Sequence, residues 1–269
     1  MATPAQMQSM VSPLDARLTR TLSRLQGALG ASSGSVGEIG VHHGAYFATL
    51  VALARPEEPL WACDLFDRLQ SHDLDHSGRG NATMFLRTVR DLTGRIDVRM
   101  VAMPSYELHR QRVQPPQLFR LLSIDGSRTA INAFTDIVWA TQHVAQGGLL
   151  VVNDVASARW LGPSRALRSY WHMHDRGYTF LPLLLTRKKL WLVHRSWHVK
   201  YVRSMGSVLP SSRSSGPARK MHFREFVACL NANEPIVNGT VDYAPLQLPP
   251  PPDPPPRVWV ERSACVKAM

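Results

Sequence analysis

From Ser35 to Val193, short apolar runs alternate with longer amphipathic segments, and this alternation restricts the fold more than any other feature of the chain. The runs Val36–Gly40, Leu60–Leu65, Ile96–Ala102, Phe119–Asp125 and Gly148–Asn153 read as strands. Helical periodicity fits the intervening segments Gly44–Ala54, Asn81–Leu92, Ser105–Arg112 and Ala130–Ala145, and again Pro163–Arg176. Strand then helix, repeated with short connections, predicts a parallel sheet covered on both sides. The runs Tyr178–Leu183 and Lys189–Val193 follow one another with no helix between, which predicts an antiparallel finish. The expected architecture is therefore α/β, with seven mostly parallel strands and an antiparallel last strand.

Outside this region the texture differs. Residues 1–11 read as a loose leader, and Ser12-Pro13-Leu14-Asp15 as a helix start with Ser as N-cap and Pro in the first turn. Leu14, Leu18, Leu22, Leu25 and Leu29 then form one stripe that Gly30 ends. Arginines in this segment give it a faint transit-peptide flavour, but so regular a stripe favours a packed accessory helix. After His198 the periodic pattern fades: 204–220 reads as a basic, Ser/Gly-rich loop, 221–230 as one short helix. Residues 245–256, with eight of the twenty prolines, read as extended spacer. The organisation expected is 1–30 leader and accessory helix, 31–200 main domain, and 201–269 a basic, proline-rich, flexible tail.

Composition narrows the class. No run of about 18 apolar residues is present and no secretory leader is recognisable, so a membrane-spanning or secreted chain is not expected. Three scattered cysteines make neither a disulfide framework nor a zinc cluster, and a cytoplasmic protein is expected. The net charge of +11 is concentrated between Val155 and Arg224, where fourteen Lys or Arg face the single acid Asp175. Such a lobe can attract nucleic acid, but no nucleic-acid-binding motif accompanies it, so a solvated basic surface is the favoured reading.

In an open α/β sheet, ligands bind beyond the carboxyl ends of the strands, so the chemistry is sought there. The first strand runs into Glu38-Ile39-Gly40-Val41-His42-His43-Gly44, whose glycines allow a sharp turn and close approach of a ligand. Its Glu-x-Gly-x-x-x-Gly spacing is not the Gly-x-Gly-x-x-Gly of a dinucleotide site. Asp64, at the end of the second strand and about twenty residues further on, is placed to accept hydrogen bonds from a ribose diol. Asp125 ends the fourth strand, and Asn153 and Asp154 end the fifth. Adjacent central strands would bring these three oxygen donors to one rim, a set suited to a hard divalent cation such as Mg²⁺. The run Asp73-x-Asp75-x-Ser77-Gly78 looks like the start of a calcium loop, but Met84 at its twelfth position supplies no carboxylate. A loop covering the cofactor is the better reading of that segment.

These motifs together resemble a class I S-adenosylmethionine-dependent methyltransferase, of the group sharing the catechol and macrocin O-methyltransferase site plan. The resemblance runs from about Glu38 to Val193 and rests on Glu38, Gly40 and Gly44, on Asp64, on Asp125-Gly126 and Asp136, and on Gly147-Gly148 before Asn153-Asp154. The stretches 73–80 and 160–164 add to it. It implies a Rossmann-like sheet and S-adenosylmethionine as cofactor. It further implies Glu38, Gly40, His42, Gly44, Asp64, Ser105 and Asp125 as cofactor-binding residues, with Ser105 in the adenine-side loop. Asp125 and Arg128 are the implied catalytic positions, and Asp125, Asn153 and Asp154 the implied metal ligands.

Two positions depart from the family pattern. Arg128 stands where that group has His or Lys, and a guanidinium is a poor general base. Asn153 replaces an acid, which lowers the negative charge offered to a metal. The expected activity is methylation of a small-molecule hydroxyl with help from a divalent ion. The alternatives are a metal-independent methyltransferase acting on an anionic or nucleic-acid substrate, and a non-catalytic cofactor-binding module. A homodimer is compatible with each.

Overall fold

The computed structural model describes residues 11–67, 69–73, 79–157, 159–175, 177–208 and 244–245. The expected features at 221–230 and 246–256, and most of the loops at 73–80 and 204–220, lie outside them. Eight strands form one sheet in the order β3-β2-β1-β4-β5-β7-β6-β8. They are β1 Ser35–Ile39, β2 Leu60–Asp64, β3 Val98–Ala102, β4 Phe119–Ile124, β5 Val144–Asn153, β6 Phe180–Leu185, β7 Lys189–His194 and β8 Ala244–Pro245. The first five pair in parallel, and β7 lies antiparallel between β5 and β6. This is the Rossmann-like sheet expected, with a two-residue edge strand, β8, added beside β6. Pro245 is tolerated there because an edge residue need not donate to a ladder.

Alternation along the strands explains two cores. Trp61, Cys63, Leu150, Val152, Leu190 and Leu192 face one layer, built on α5 (Ala130–His143) and α6 (Gly162–Ser169). Leu60, Ala62, Leu149, Val151, Trp191 and Val193 face the other. That second layer contains α1 (Pro13–Ala28), α2 (Ala45–Val51), α3 (Ala82–Thr93) and α7 (Arg195–Val208). The short helix α4 (Glu107–Arg110) completes the set.

Helix α1 starts as its sequence predicts: Ser12 Oγ accepts a hydrogen bond from the Asp15 backbone N–H at 3.3 Å, Pro13 occupies the first turn, and Leu18, Leu22 and Leu25 are buried. Helix α7 corrects the expectation that regular structure fades after His198. Trp197, Tyr201 and Met205 recur at a spacing of four, and Tyr201 and Met205 are buried against the layer of α1. Arg195, Lys200 and Arg203 between them mask the stripe in the sequence. The helix expected over Pro163–Arg176 is α-helical only to Ser169 and continues as a π-helical turn, Tyr170–His174. Strand β5 begins at Val144, immediately after α5, rather than at Gly148.

Candidate functional site

Strand order reverses between β1 and β4, so the loops leaving their carboxyl ends diverge and leave a cleft. The cleft encloses about 250 Å³. Its floor is the turn from Glu38 to Tyr46; Cys63, Asp64 and Leu65 close one side, and Asp125 to Arg128 the other. Gly40 has φ +81°, and a Cβ there would run into the carbonyl group of Asp125. The β1 turn and the end of β4 can approach so closely only with glycine at that position. Of the residues implied as cofactor-binding or catalytic, Glu38, Gly40, His42, Asp64, Ser105, Asp125 and Arg128 all line this one cleft. Gly44 caps α2 just behind it with φ +85°.

The cleft is electrostatically uneven. Asp64 Oδ2 accepts the backbone N–H of His42 at 2.8 Å, and Oδ1 accepts that of Phe66 at 2.9 Å. These bonds fix the carboxylate while leaving it acceptor capacity for hydroxyl groups. Glu38 is buried and lacks a partner at Oε1. Burial pushes its pKa up to about 8, against the opposing pull of Lys189. An unpartnered polar atom in a cleft wall is a place a ligand can satisfy. His42 is held below the usual imidazole range by burial, then by His43 and Arg128, with Asp64 opposing. Its ring centroid lies 3.9 Å from that of His43. Ser105 lies beside Asp136, a fully buried carboxyl that burial raises to about 7. Tyr106, adjoining Ser105 in the wall, bonds His72 across the cleft mouth, Oη to Nδ1, at 3.1 Å. His43, Tyr46, His72 and Tyr106 are cleft residues the motif reading did not assign.

These features fit an adenosyl-sulfonium donor: an acceptor carboxylate for a diol, a glycine turn open to close approach, and an orphaned carboxyl oxygen beside them. The residues do not fit the divalent ion. Arg128 spans both carboxylates, Nε to Asp154 Oδ2 at 3.1 Å and Nη2 to Asp125 Oδ1 at 3.5 Å. Asn153 gives its amide N–H to Asp125 Oδ1 at 2.6 Å, and its oxygen accepts from Lys189 Nζ at 3.1 Å. Each residue of the expected set, Asp125, Asn153 and Asp154, thus already bonds a cation or amide of the chain itself. Among the described residues no group of three or more His, Cys, Asp or Glu side chains is arranged to hold a metal. Lys189 was missed because it arrives from β7, read only as a strand, while its neighbours Arg187 and Lys188 make it look like hairpin surface.

Residues 38–155, the span of this cleft, match the model of a methyltransferase domain family. Over those residues the chain is similar to a methyltransferase domain. Its fold is that of the class I S-adenosylmethionine-dependent enzymes. The O-methyltransferase of Bacillus cereus, solved with S-adenosylhomocysteine, is similar at 15% identity and a TM-score of 0.50, covering 69% of this chain and 82% of that one. TomG of Streptomyces achromogenes, an O-methyltransferase of tomaymycin synthesis solved with S-adenosylmethionine, is 14% identical with a TM-score of 0.53, over 68% and 81% of the two chains. The O-methyltransferase NovP is 14% identical with a TM-score of 0.53, over 69% and 81%. No curated protein matches the chain. Among the described residues no helix is long and apolar enough to cross a membrane.

Proposed function

We propose that the chain methylates a hydroxyl group of a small organic molecule, with S-adenosylmethionine as donor. The observation that carries the reading is the single cleft in which Glu38, Gly40, His42, Asp64, Ser105, Asp125 and Arg128 converge. Bound there, the donor supplies an electrophilic methyl group on a sulfonium. Asp64 would hold the ribose hydroxyls through the oxygen lone pairs its backbone partners leave open. Glu38 and the Gly40 turn would sit against the donor, and Ser105 and Tyr106 would flank its base. On the opposite wall the acceptor would be oriented by Arg128, whose guanidinium carbon lies 5.6 Å from the centroid of the Trp160 ring.

The acceptor hydroxyl must shed its proton as the new O–CH₃ bond forms. Arg128 cannot take it, because a guanidinium stays charged at any ordinary pH. His42 can: it lines the cleft between Asp64 and Arg128, and its depressed pKa keeps the imidazole uncharged near neutrality. The reading assigns no step to a metal ion, since the rim donors are already engaged. Similar proteins named as O-methyltransferases support an oxygen acceptor. The buried free thiol of Cys63 is compatible with the cytoplasmic setting expected from the cysteine count.

Isothermal titration of the purified chain with S-adenosylhomocysteine tests the reading. Binding is expected, with NAD giving none, and Asp64→Asn should weaken it at least about tenfold, a loss of about 1.4 kcal/mol. A folded protein that takes up no S-adenosylhomocysteine would refute it.

A further inference from the structure

We propose that this domain has exchanged the divalent ion for an internal cation pair, with the Arg128 guanidinium and the Lys189 ammonium neutralising Asp125 and Asp154 in its place. The inference rests on the reading above for the location of the site, not for its outcome. Two carboxylates close together at a cleft rim repel one another unless a positive charge is set between them. Here that charge is supplied twice by the chain itself. Arg128 reaches Asp154 at 3.1 Å and Asp125 at 3.5 Å, with both carboxylates a quarter exposed or less. Lys189 is buried, 3.5 Å above the Tyr46 ring centroid, and bonds Asn153, which in turn bonds Asp125.

The formal charge of Asp125, Asp154, Arg128 and Lys189 sums to zero, so these four groups together offer no excess negative charge to attract a further cation. Asn153 is locked by the same arrangement. Turning its amide over would set N–H donors against the Lys189 ammonium and take the donor away from Asp125. An oxygen that accepts from an ammonium at 3.1 Å is not available to a hard ion that wants an octahedral oxygen shell.

The backbone holds Arg128 in this pose. A Cβ at Gly162, in the first turn of α6, would collide with the Arg128 carbonyl oxygen, so glycine there lets α6 pack directly under the arginine loop. Asp154 has φ +57°, in the left-handed region, and its backbone N–H bonds the Lys188 carbonyl oxygen at 2.5 Å. That turn brings the Asp154 side chain to Arg128 and ties it to the hairpin that carries Lys189. The consequence is a site whose acceptor chemistry depends on fixed protein charges and not on metal supply.

Mn²⁺ is the probe, followed by loss of its free-ion EPR signal on addition of the full-length protein, with and without S-adenosylhomocysteine. The unsubstituted chain is expected to leave Mn²⁺ free into the millimolar range. The double variant Arg128→Ala/Asn153→Asp, checked for folding by circular dichroism, is expected to take up Mn²⁺ at a concentration at least tenfold lower. Asp154→Asn added to it should abolish that uptake. Micromolar uptake by the unsubstituted chain that Asp154→Asn removes would overturn the proposal, as would a folded double variant that gains no Mn²⁺ affinity. If the double variant fails to fold, the unsubstituted measurement still decides. Failure of S-adenosylhomocysteine to bind would sink the proposed function and leave the Mn²⁺ result intact, so the two outcomes are distinguishable.

Discussion

Glu38 and Asp136 are carboxyl groups on opposite sides of the β1–β4 crossing, both buried, both with oxygens that lack well-formed hydrogen bonds. Burial is the largest cause of their raised values, about 8 and about 7. Each keeps its proton in the folded state over a range where the unfolded chain has released it. The unfolded state then binds fewer protons, so stability falls as pH rises from the ordinary carboxylate range through these values. Glu38→Gln should therefore flatten the fall in melting temperature between about pH 4.5 and 8. Asp136→Asn should do so up to about pH 7. A Glu38→Gln melting curve that tracked the parent at every pH would show that Glu38 is ionised in the folded protein. At this scale the sequence was informative where a residue's role follows from its place at a strand end: Glu38, Asp64 and Asp125 stand at such ends and meet in one cleft. Lys189 was illegible because its role comes from partners 36 residues away and more, and no local pattern encodes them.

At the scale of elements, one buried side chain ties three of them together. Arg120, at the start of β4, is almost fully buried and pairs with Glu58 at 2.6 Å. It also donates to Ser23 and Gln26 of α1 and to the Leu53 carbonyl oxygen after α2. Gln26 returns a bond to the Arg120 carbonyl oxygen and another to that of Gly147. Removing the guanidinium would leave the buried Glu58 carboxylate with only the backbone N–H groups of Arg55 and Gly34, a loss of about 3 kcal/mol. Arg120→Ala should lower the urea midpoint correspondingly with an unchanged m-value; a loss under about 1 kcal/mol would mean water re-enters and solvates Glu58. The N-terminal helix was readable because a cap, a proline and a leucine stripe agree with one another. Helix α7 was not, because Trp197, Tyr201 and Met205 are aromatic or flexible positions set among basic residues, and its anchor, the Tyr201 hydroxyl on the Gly147 carbonyl oxygen at 2.9 Å, is a tertiary contact. The edge pairing of Ala244 and Pro245 is likewise long-range.

Across the whole molecule the parallel strands separate stability from chemistry. Arg120 sits at the entry of β4 and Asp125 just beyond its exit, so four strand residues, a span of roughly 16 Å, separate the buried ion pair from the cleft. Sites that far apart with no shared partners contribute independently. Arg120 touches β4, α1 and the segment after α2, whereas the cleft is made by loops leaving the other ends of the strands. Arg120→Ala should thus depress the melting temperature while leaving the affinity for S-adenosylhomocysteine within about twofold. Asp64→Asn should weaken that affinity with a much smaller effect on melting, because Asp64 is half-exposed and its backbone partners can turn to water. In the double variant the two losses should add. An Arg120→Ala protein that stays folded yet binds the ligand tenfold more weakly would show that strain at the sheet's entry reaches the β1–β4 crossing. In that case the contact to examine is the close approach of Gly40 to the Asp125 backbone, the point where the two strands' carboxyl ends meet.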